Sequence, residues 1–206
     1  MPLDISRFVK TRPYLYHLTA RSNLKLIAAS GRLRTAADLL VEAGERPLLR
    51  QRRRESRVVV CEGESVHVRD QAPLHPGNLK LSDRWTFDDF VEHLNEHVFF
   101  WPGTEAGPIG YGLRHFERYA EEDNVVLVLK TDEVLACQSS IEPRFCRFNS
   151  GSPRCTGGKP SPRGPGTFLL ARDFVGTPSS VVEVTFRGSV SLPAGSLKTR
   201  QPKHFL

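Results

Sequence analysis

Two apolar runs in this chain each carry one polar side chain that a buried strand tolerates only for a reason. Tyr14-Leu15-Tyr16-His17-Leu18-Thr19 places a histidine at the end of an early strand, beside a hydroxyl and ahead of a short helix that stops at Gly31. Val181-Val182-Glu183-Val184 places a lone acid in a late strand. An ionisable group costs free energy to bury unless it is paired or used. A sheet that joined these two runs would build one cleft from distant parts of the chain. The plain alternatives are a core histidine with a satisfied hydrogen bond, and an edge-strand or salt-bridged acid.

The elements between them set the fold class. Leu24, Ile27 and Ala28 share a helical face after Ser22 or Asn23, and a second helix is expected over Thr35–Ala43, closed by Gly44. Short strands are expected at Val58–Val60 and Val66–Val68. Thr86 and Asp89 have capping-box spacing, and Phe87, Phe90, Val91 and Leu94 fall at i, i+3, i+4 and i+7, so a helix runs from Thr86 to about Glu96. Val98–Trp101 and Val125–Leu129 read as buried strands on either side of a helix near Gly112–Glu121. Further strands are expected at Phe145–Phe148, Val181–Phe186 and Val190–Leu192, with a long loop over Ser150–Gly166. Strands and helices mix without strict alternation, which predicts an α+β fold, and 206 residues fit a single domain.

Charge is distributed unevenly. From Arg144 to Leu206 ten Lys/Arg face two acids, whereas from Asp83 to Asp123 ten acids face three arginines. A basic third points to phosphate-bearing partners, either nucleic acid or a dinucleotide, against the plainer reading of a solvated surface. No apolar run approaches the ~18–20 residues of a membrane span, and residues 1–10 carry no signal-peptide pattern, so a cytoplasmic location is expected. Cys61, Cys137, Cys146 and Cys155 form no C-x-x-C and read as free thiols; a zinc site from Cys137, Cys146 and Cys155 is the weaker alternative.

Tyr16-His17-Leu18-Thr19 resembles the Y-H-x-T strand of diphtheria-toxin-type ADP-ribosyltransferases, which include poly(ADP-ribose) polymerase catalytic domains. His97–Trp101 is similar to their aromatic strand, and Val182–Phe186 to the late strand that presents a catalytic glutamate. A closer resemblance is to DarT-type toxins, which modify nucleic acid: His17, Thr19, Asn23-Leu24 and Gly31 match their entry pattern, and Arg52-Arg53-Arg54 stand where they carry an essential arginine. The resemblance spans residues 13–60, 97–130 and 180–193. It departs at Phe-Phe-Trp-Pro, where Tyr111 is the nearest counterpart of the family tyrosine, and at the Ser150–Gly166 loop.

The resemblance implies a split, mostly antiparallel sheet with flanking helices, NAD as ADP-ribose donor, and an acceptor that is nucleic acid more readily than protein. It admits an antitoxin as partner and involves no membrane. Cleaving the nicotinamide–ribose bond builds positive charge on the ribose carbon, which Glu183 is expected to stabilise. One of Arg52, Arg53 and Arg54 is expected to clamp an oxyanion, since a guanidinium fork matches it. His17, Thr19, Asn23, Phe99 and Tyr111 are the expected cofactor-binding residues, the aromatic ones by stacking on nicotinamide. Arg154, Lys159 and Arg163 of the long loop are the expected acceptor-binding cations.

Two other classes stay open at this level. The same fold without catalysis would be a nucleic-acid-binding module using the basic residues Arg50–Arg57, whose own alternative is a basic surface helix. His93-Leu94-Asn95-Glu96-His97 matches the H-x-x-E-H order of inverzincin metallopeptidases, in which histidines one turn apart bind zinc.

Overall fold

The computed structural model describes residues 1–82, 84–195 and 197–206. In chain order the helices are α1 (Ile5–Thr11), α2 (Leu24–Ser30), α3 (Ala36–Glu42), α4 (Phe87–Asn95), α5 (Gly110–Arg118) and α6 (Thr131–Ala136). The strands are β1 (Tyr14–Ala20), β2 (Arg32–Leu33), β3 (Arg57–Cys61), β4 (Glu64–Val68), β5 (Leu79–Leu81), β6 (His97–Thr104), β7 (Gly107–Pro108), β8 (Asn124–Lys130), β9 (Arg144–Cys146), β10 (Ser161–Arg163), β11 (Leu169–Leu170), β12 (Glu183–Arg187), β13 (Val190–Ser191) and β14 (Thr199–Arg200). The architecture is α+β with a mostly antiparallel sheet.

Local chemistry accounts for the helix ends. Thr35 with Asp38 and Thr86 with Asp89 form complete capping boxes at the starts of α3 and α4. Gly31 closes α2 in the left-handed region, at φ 62°, where only glycine is free of strain. Gly112 allows α5 to lie against β6, because a Cβ there would stand 2.9 Å from the Trp101 side chain.

The main sheet has the order β11-β9-β12-β6-β1-β8-β14, with β7 paired to β6. β1 pairs with β8 along its whole length, Tyr14↔Lys130 to Ala20↔Asn124. It pairs with β6 over only three residues, Tyr14↔Gly103, Leu15↔Pro102 and Tyr16↔Trp101. From His17 onward these two strands part, and β6 turns to β12 instead, Phe100↔Val184 to His97↔Arg187. The Phe99 carbonyl, beyond the last β1–β6 pair, is taken by the His17 imidazole at 2.9 Å.

The two faces of the sheet are filled differently. On one, a continuous apolar cluster takes Leu15, Leu127, Phe100, Val184, Phe186 and Phe145 from five strands and packs them against Phe8, Ile27 and Val134 of three helices. On the other, Tyr16, Trp101 and Val126 pack under Phe116 of α5, while Phe99, Cys146 and Phe168 pack under Phe90 and Leu94 of α4. The cleft lies between those two clusters. A third layer, the β3–β4 hairpin with α3, closes it from the side through Leu26, Leu40, Val59 and Val66.

The structure differs from the sequence expectations in several places. Arg50–Arg57, for which a basic surface helix is the alternative reading, is not helical: a short 3-10 turn over Arg46–Leu49 runs through turn and bend residues into β3. Ser150–Gly166 is not structureless, because β10 pairs in parallel with β5, Ser161↔Leu79 to Arg163↔Leu81. α5 begins two residues before the expected Gly112. α1, capped by Asp4, and α6, which follows β8 directly, were not expected at all.

Candidate functional site

The cleft holds about 330 Å³ and is lined by His17 and Thr19 of β1, Asn23, Arg53, Phe99 of β6, Tyr111 of α5, Arg154 and Glu183 of β12, among others. Eight of the expected site residues, from six separate segments, therefore line one cleft. Arg52, Arg54, Lys159 and Arg163 do not line it.

Glu183 opens β12 and is 3 % exposed. Its Oε1 accepts the Ser150 backbone N–H at 3.1 Å, and its Oε2 is buried with no partner among the described residues. Burial pushes its carboxyl up to about 7, against the downward pull of the Ser150 hydrogen bonds and the Arg163 guanidinium. It therefore changes charge near neutral pH, where a general base is most effective.

His17 stands across the cleft on β1. A carbonyl can only accept, so its hydrogen bond to Phe99 requires the proton on Nδ1 and leaves the Nε2 lone pair free. Burial, with Arg69 nearby, lowers the pKa of the ring, so the imidazole is neutral at pH 7. Its Nε2 can therefore accept a hydrogen bond from a hydroxyl. Thr19 lies two residues on, its Oγ1 accepting from Asn23 Nδ2 at 3.0 Å.

Asn23 is spent elsewhere. Its Oδ1 accepts the His67 N–H at 2.7 Å, and its Nδ2 donates to the His67 carbonyl at 3.0 Å as well as to Thr19. It ties the β1–α2 corner to the β3–β4 hairpin like one extra rung of sheet. Asn23, expected to bind cofactor, lines the cleft with both ends of its amide occupied in this bracing role.

Of the three consecutive arginines only Arg53 reaches the cleft. It is 5 % exposed; its Nε donates to the Arg69 carbonyl at 3.1 Å and its Nη2 to Asn95 Oδ1 at 3.0 Å. Gln71 Nε2 donates to the same Asn95 oxygen at 3.1 Å, fixing the acceptor. Arg53 Nη1 is buried without a partner. Burial lowers its pKa to about 10, so the guanidinium stays charged at pH 7. A buried cation with a spare donor and only neutral hydrogen-bond partners is a seat for an oxyanion. Arg52 instead donates to the Ala72 carbonyl, and Arg54 is exposed.

Phe99 packs edge-on against Phe168 at 5.7 Å between ring centres. Tyr111, in the first turn of α5, is 41 % exposed and carries the Arg114 guanidinium 4.7 Å from its ring centre. Arg154 lines the cleft, whereas Lys159 sits exposed in the turn bridged by Thr156 and Lys159. Arg163, expected to contact the acceptor, is 4 % exposed and bonded to Ser161, Pro162 and Asn149.

Residues beyond the expected set also shape the wall. His115 lies between Trp101 and Tyr119, at 5.7 and 5.1 Å between ring centres, and burial lowers its pKa to about 3. Arg69 lies over the Tyr119 ring at 4.2 Å and is paired with Glu122 at 3.0 Å. In all, seven arginines line the cleft against two acids, Asp70 and Glu183, which favours anionic ligands.

The H-x-x-E-H stretch does not form one helix face. α4 ends at Asn95 and His97 already belongs to β6. The two rings nonetheless lie 4.8 Å apart, with His97 Nδ1 on the His93 carbonyl at 2.7 Å and both rings against Phe168. Burial lowers their pKa values to about 4 for His93 and about 3 for His97. No group of three or more His, Cys, Asp or Glu side chains placed to hold a metal occurs among the described residues, so the arrangement expected for a zinc hydrolase is not formed there. The four cysteines are free, Cys61 and Cys146 buried and Cys137 and Cys155 exposed. No helix among the described residues is long and apolar enough to cross a membrane.

The chain belongs to a family of unknown function, DUF7002, whose model matches residues 13–196. The match takes in both strands that carry His17 and Glu183. No curated protein and no solved structure matches the chain.

Proposed function

We propose that this protein is an NAD-dependent ADP-ribosyltransferase, with nucleic acid favoured over protein as acceptor. The observation that carries the reading is the parting of β1 from β6 at His17. It opens a split antiparallel sheet onto a buried carboxylate, Glu183, whose Oε2 has no partner. That is the placement implied by the resemblance to ADP-ribosyltransferases of the diphtheria-toxin type.

The residues fit the donor. NAD supplies a ribose carbon activated by its bond to nicotinamide. His17 Nε2, held neutral, is the acceptor for a ribose hydroxyl. Arg53 Nη1 is the donor for a pyrophosphate or acceptor oxyanion. Phe99 and Tyr111 offer ring surface to the nicotinamide. Glu183, fixed by Ser150, opposes the positive charge that develops on the ribose carbon and takes the proton of the incoming acceptor. Arg154, at the rim, extends the positive wall towards a phosphodiester backbone. A single strand is the favoured form, since a base paired in a duplex is sterically withheld.

The test is incubation of the protein with NAD and separate pools of DNA, RNA and protein, read by mass spectrometry. The expected result is nicotinamide release with an ADP-ribose mass on nucleic acid, weakening steeply with salt through counterion release. Labelling confined to protein and insensitive to salt would overturn the acceptor. Salt-sensitive nucleic-acid binding with no nicotinamide release would leave a binding module on the same fold.

A further inference from the structure

Arg163 is a buried cation whose direct partners are all neutral. Its Nη1 donates to Ser161 Oγ at 2.6 Å and to the Pro162 carbonyl at 2.8 Å, and its Nη2 donates to the Asn149 carbonyl at 3.0 Å. The guanidinium lies 4.4 Å from the Phe148 ring centre. Its main chain is equally fixed, paired with Leu81 in β5 and accepting the Ser82 N–H at 3.0 Å. A guanidinium does not give up its proton in this pH range, so burying one is costly, and a negative charge in reach offsets that cost. Burial lowers the pKa of the Arg163 guanidinium, and the opposite charge of the Glu183 carboxylate works against that shift, as Arg163 works against the upward shift of Glu183.

The connection is also mechanical. Asn149, whose carbonyl Arg163 holds, precedes Ser150, whose N–H is on Glu183 Oε1. Asn149 Oδ1 takes the Ser152 N–H at 3.1 Å, so the whole turn is set. We propose that Arg163 is the positioning residue of this site: through the Asn149 carbonyl it aims the Ser150 N–H at Glu183, and its buried positive charge favours a negative charge on that carboxyl. This role matters for catalysis through the function proposed above, but the arrangement itself does not depend on it.

The other ionisable group packed against Glu183 is the Cys146 thiol, its cross-strand neighbour on β9, which burial and Glu183 keep protonated. Further along the same face lie the neutral His97 and the cations Arg144 and Arg187. Among these groups, Arg163 is the cation hydrogen-bonded to the turn that carries Ser150.

The experiment needs neither NAD nor an acceptor. The Glu183 side-chain carboxyl is titrated by carbon NMR in the free protein and in R163Q, R163K and K159Q. In R163Q its pKa is expected to rise by about one unit or more, a roughly tenfold fall in the ionised fraction ratio at pH 7. In R163K, which keeps the charge but not the fork, the rise should be smaller, while the Ser150 amide exchanges faster with solvent. K159Q, an exposed change on the same loop, should move neither. An unshifted Glu183 in folded R163Q, or an equal shift in K159Q, overturns the charge role. Should R163Q not fold, unchanged Ser150 exchange in R163K overturns the aiming role. If the wild type turns over NAD, R163Q should move its pH profile to alkaline pH with KM for NAD unchanged. If it does not, the proposed function fails and the titration result stands by itself.

Discussion

The two faces of the main sheet are built from the same strands and do opposite things. On the face that packs α1, α2 and α6, alternate residues of β8, β1, β6, β12 and β9 join one apolar cluster that runs unbroken across the point where β1 and β6 part. On the other face the apolar residues fall into two clusters, one under α5 and one under α4, with the cleft between them. Unpartnered buried atoms gather on this second face: Glu183 Oε2, Thr185 Oγ1, His97 Nε2 and His93 Nε2. A continuous core on one face lets the sheet open on the other without coming apart. The continuous core lies behind the sheet and the candidate site in front of it.

The largest test of that division is on the back. Phe100 is 1 % exposed and packs edge-on against Phe186 at 5.9 Å. Phe100→Ala should cost about 3–5 kcal/mol, read by urea unfolding. A loss below about 1 kcal/mol would mean that the back cluster does not hold the two halves together.

On the front the expectation reverses. Glu183→Gln should lower turnover roughly 10²–10³-fold while NAD binding is kept, measured by nicotinamide release and by calorimetry. Full activity in a folded variant removes Glu183 from the site. The same change should raise thermal stability at pH 8. The carboxyl titrates near 7 in the folded protein against an ordinary 4.5. The native state therefore binds the extra proton between those values, and stability falls as pH rises through that window. The gain from Glu183→Gln should be clear at pH 8 and vanish below pH 4.5; an equal gain at both would mean burial does not raise this carboxyl.

A third effect follows from the same group. If turnover needs ionised Glu183, the rate at saturating NAD should fall about tenfold per pH unit below pH 7. An acid limb centred near 4.5 would show a solvated carboxylate and a front face less dry than its geometry.

The strands and helix starts were the more legible parts of the sequence. Val98–Trp101 and Val125–Leu129 are apolar throughout, and the Thr86/Asp89 box sits where α4 starts, because these signals are local. His17 and Glu183 were legible as polar exceptions in apolar runs. What escaped was what depends on long-range packing. Which of Arg52, Arg53 and Arg54 turns inward is decided by Asn95 and Gln71, far along the chain. That Arg163 lies inside is decided by parallel pairing with β5, for which Ser161-Pro162-Arg163 carries no periodic signal. Asn23 looked free because its partner, the His67 backbone, is invisible to any motif.

The smallest prediction separates the two front clusters. Thr86 Oγ1 accepts the Asp89 N–H at 3.2 Å at the start of α4, on the solvent side of the cluster that contains Phe90 and Phe168. Thr86→Ala removes that acceptor and should cost about 1 kcal/mol of global stability, read by thermal melting. Asp89 keeps its bond to the Thr86 N–H at 2.7 Å and its ion pair with Arg50, so the first turn should loosen without unravelling. The other end of α4 is held independently, with Asn95 Nδ2 on the Leu49 carbonyl at 2.8 Å and Asn95 Oδ1 on Arg53. Because that end is the one facing the cleft, nicotinamide release should be unchanged in the variant. A loss of turnover matching the loss of stability would show that the roof over the α4 cluster and the Arg53 seat move as one piece, and that the front face is less divided than its two apolar clusters imply.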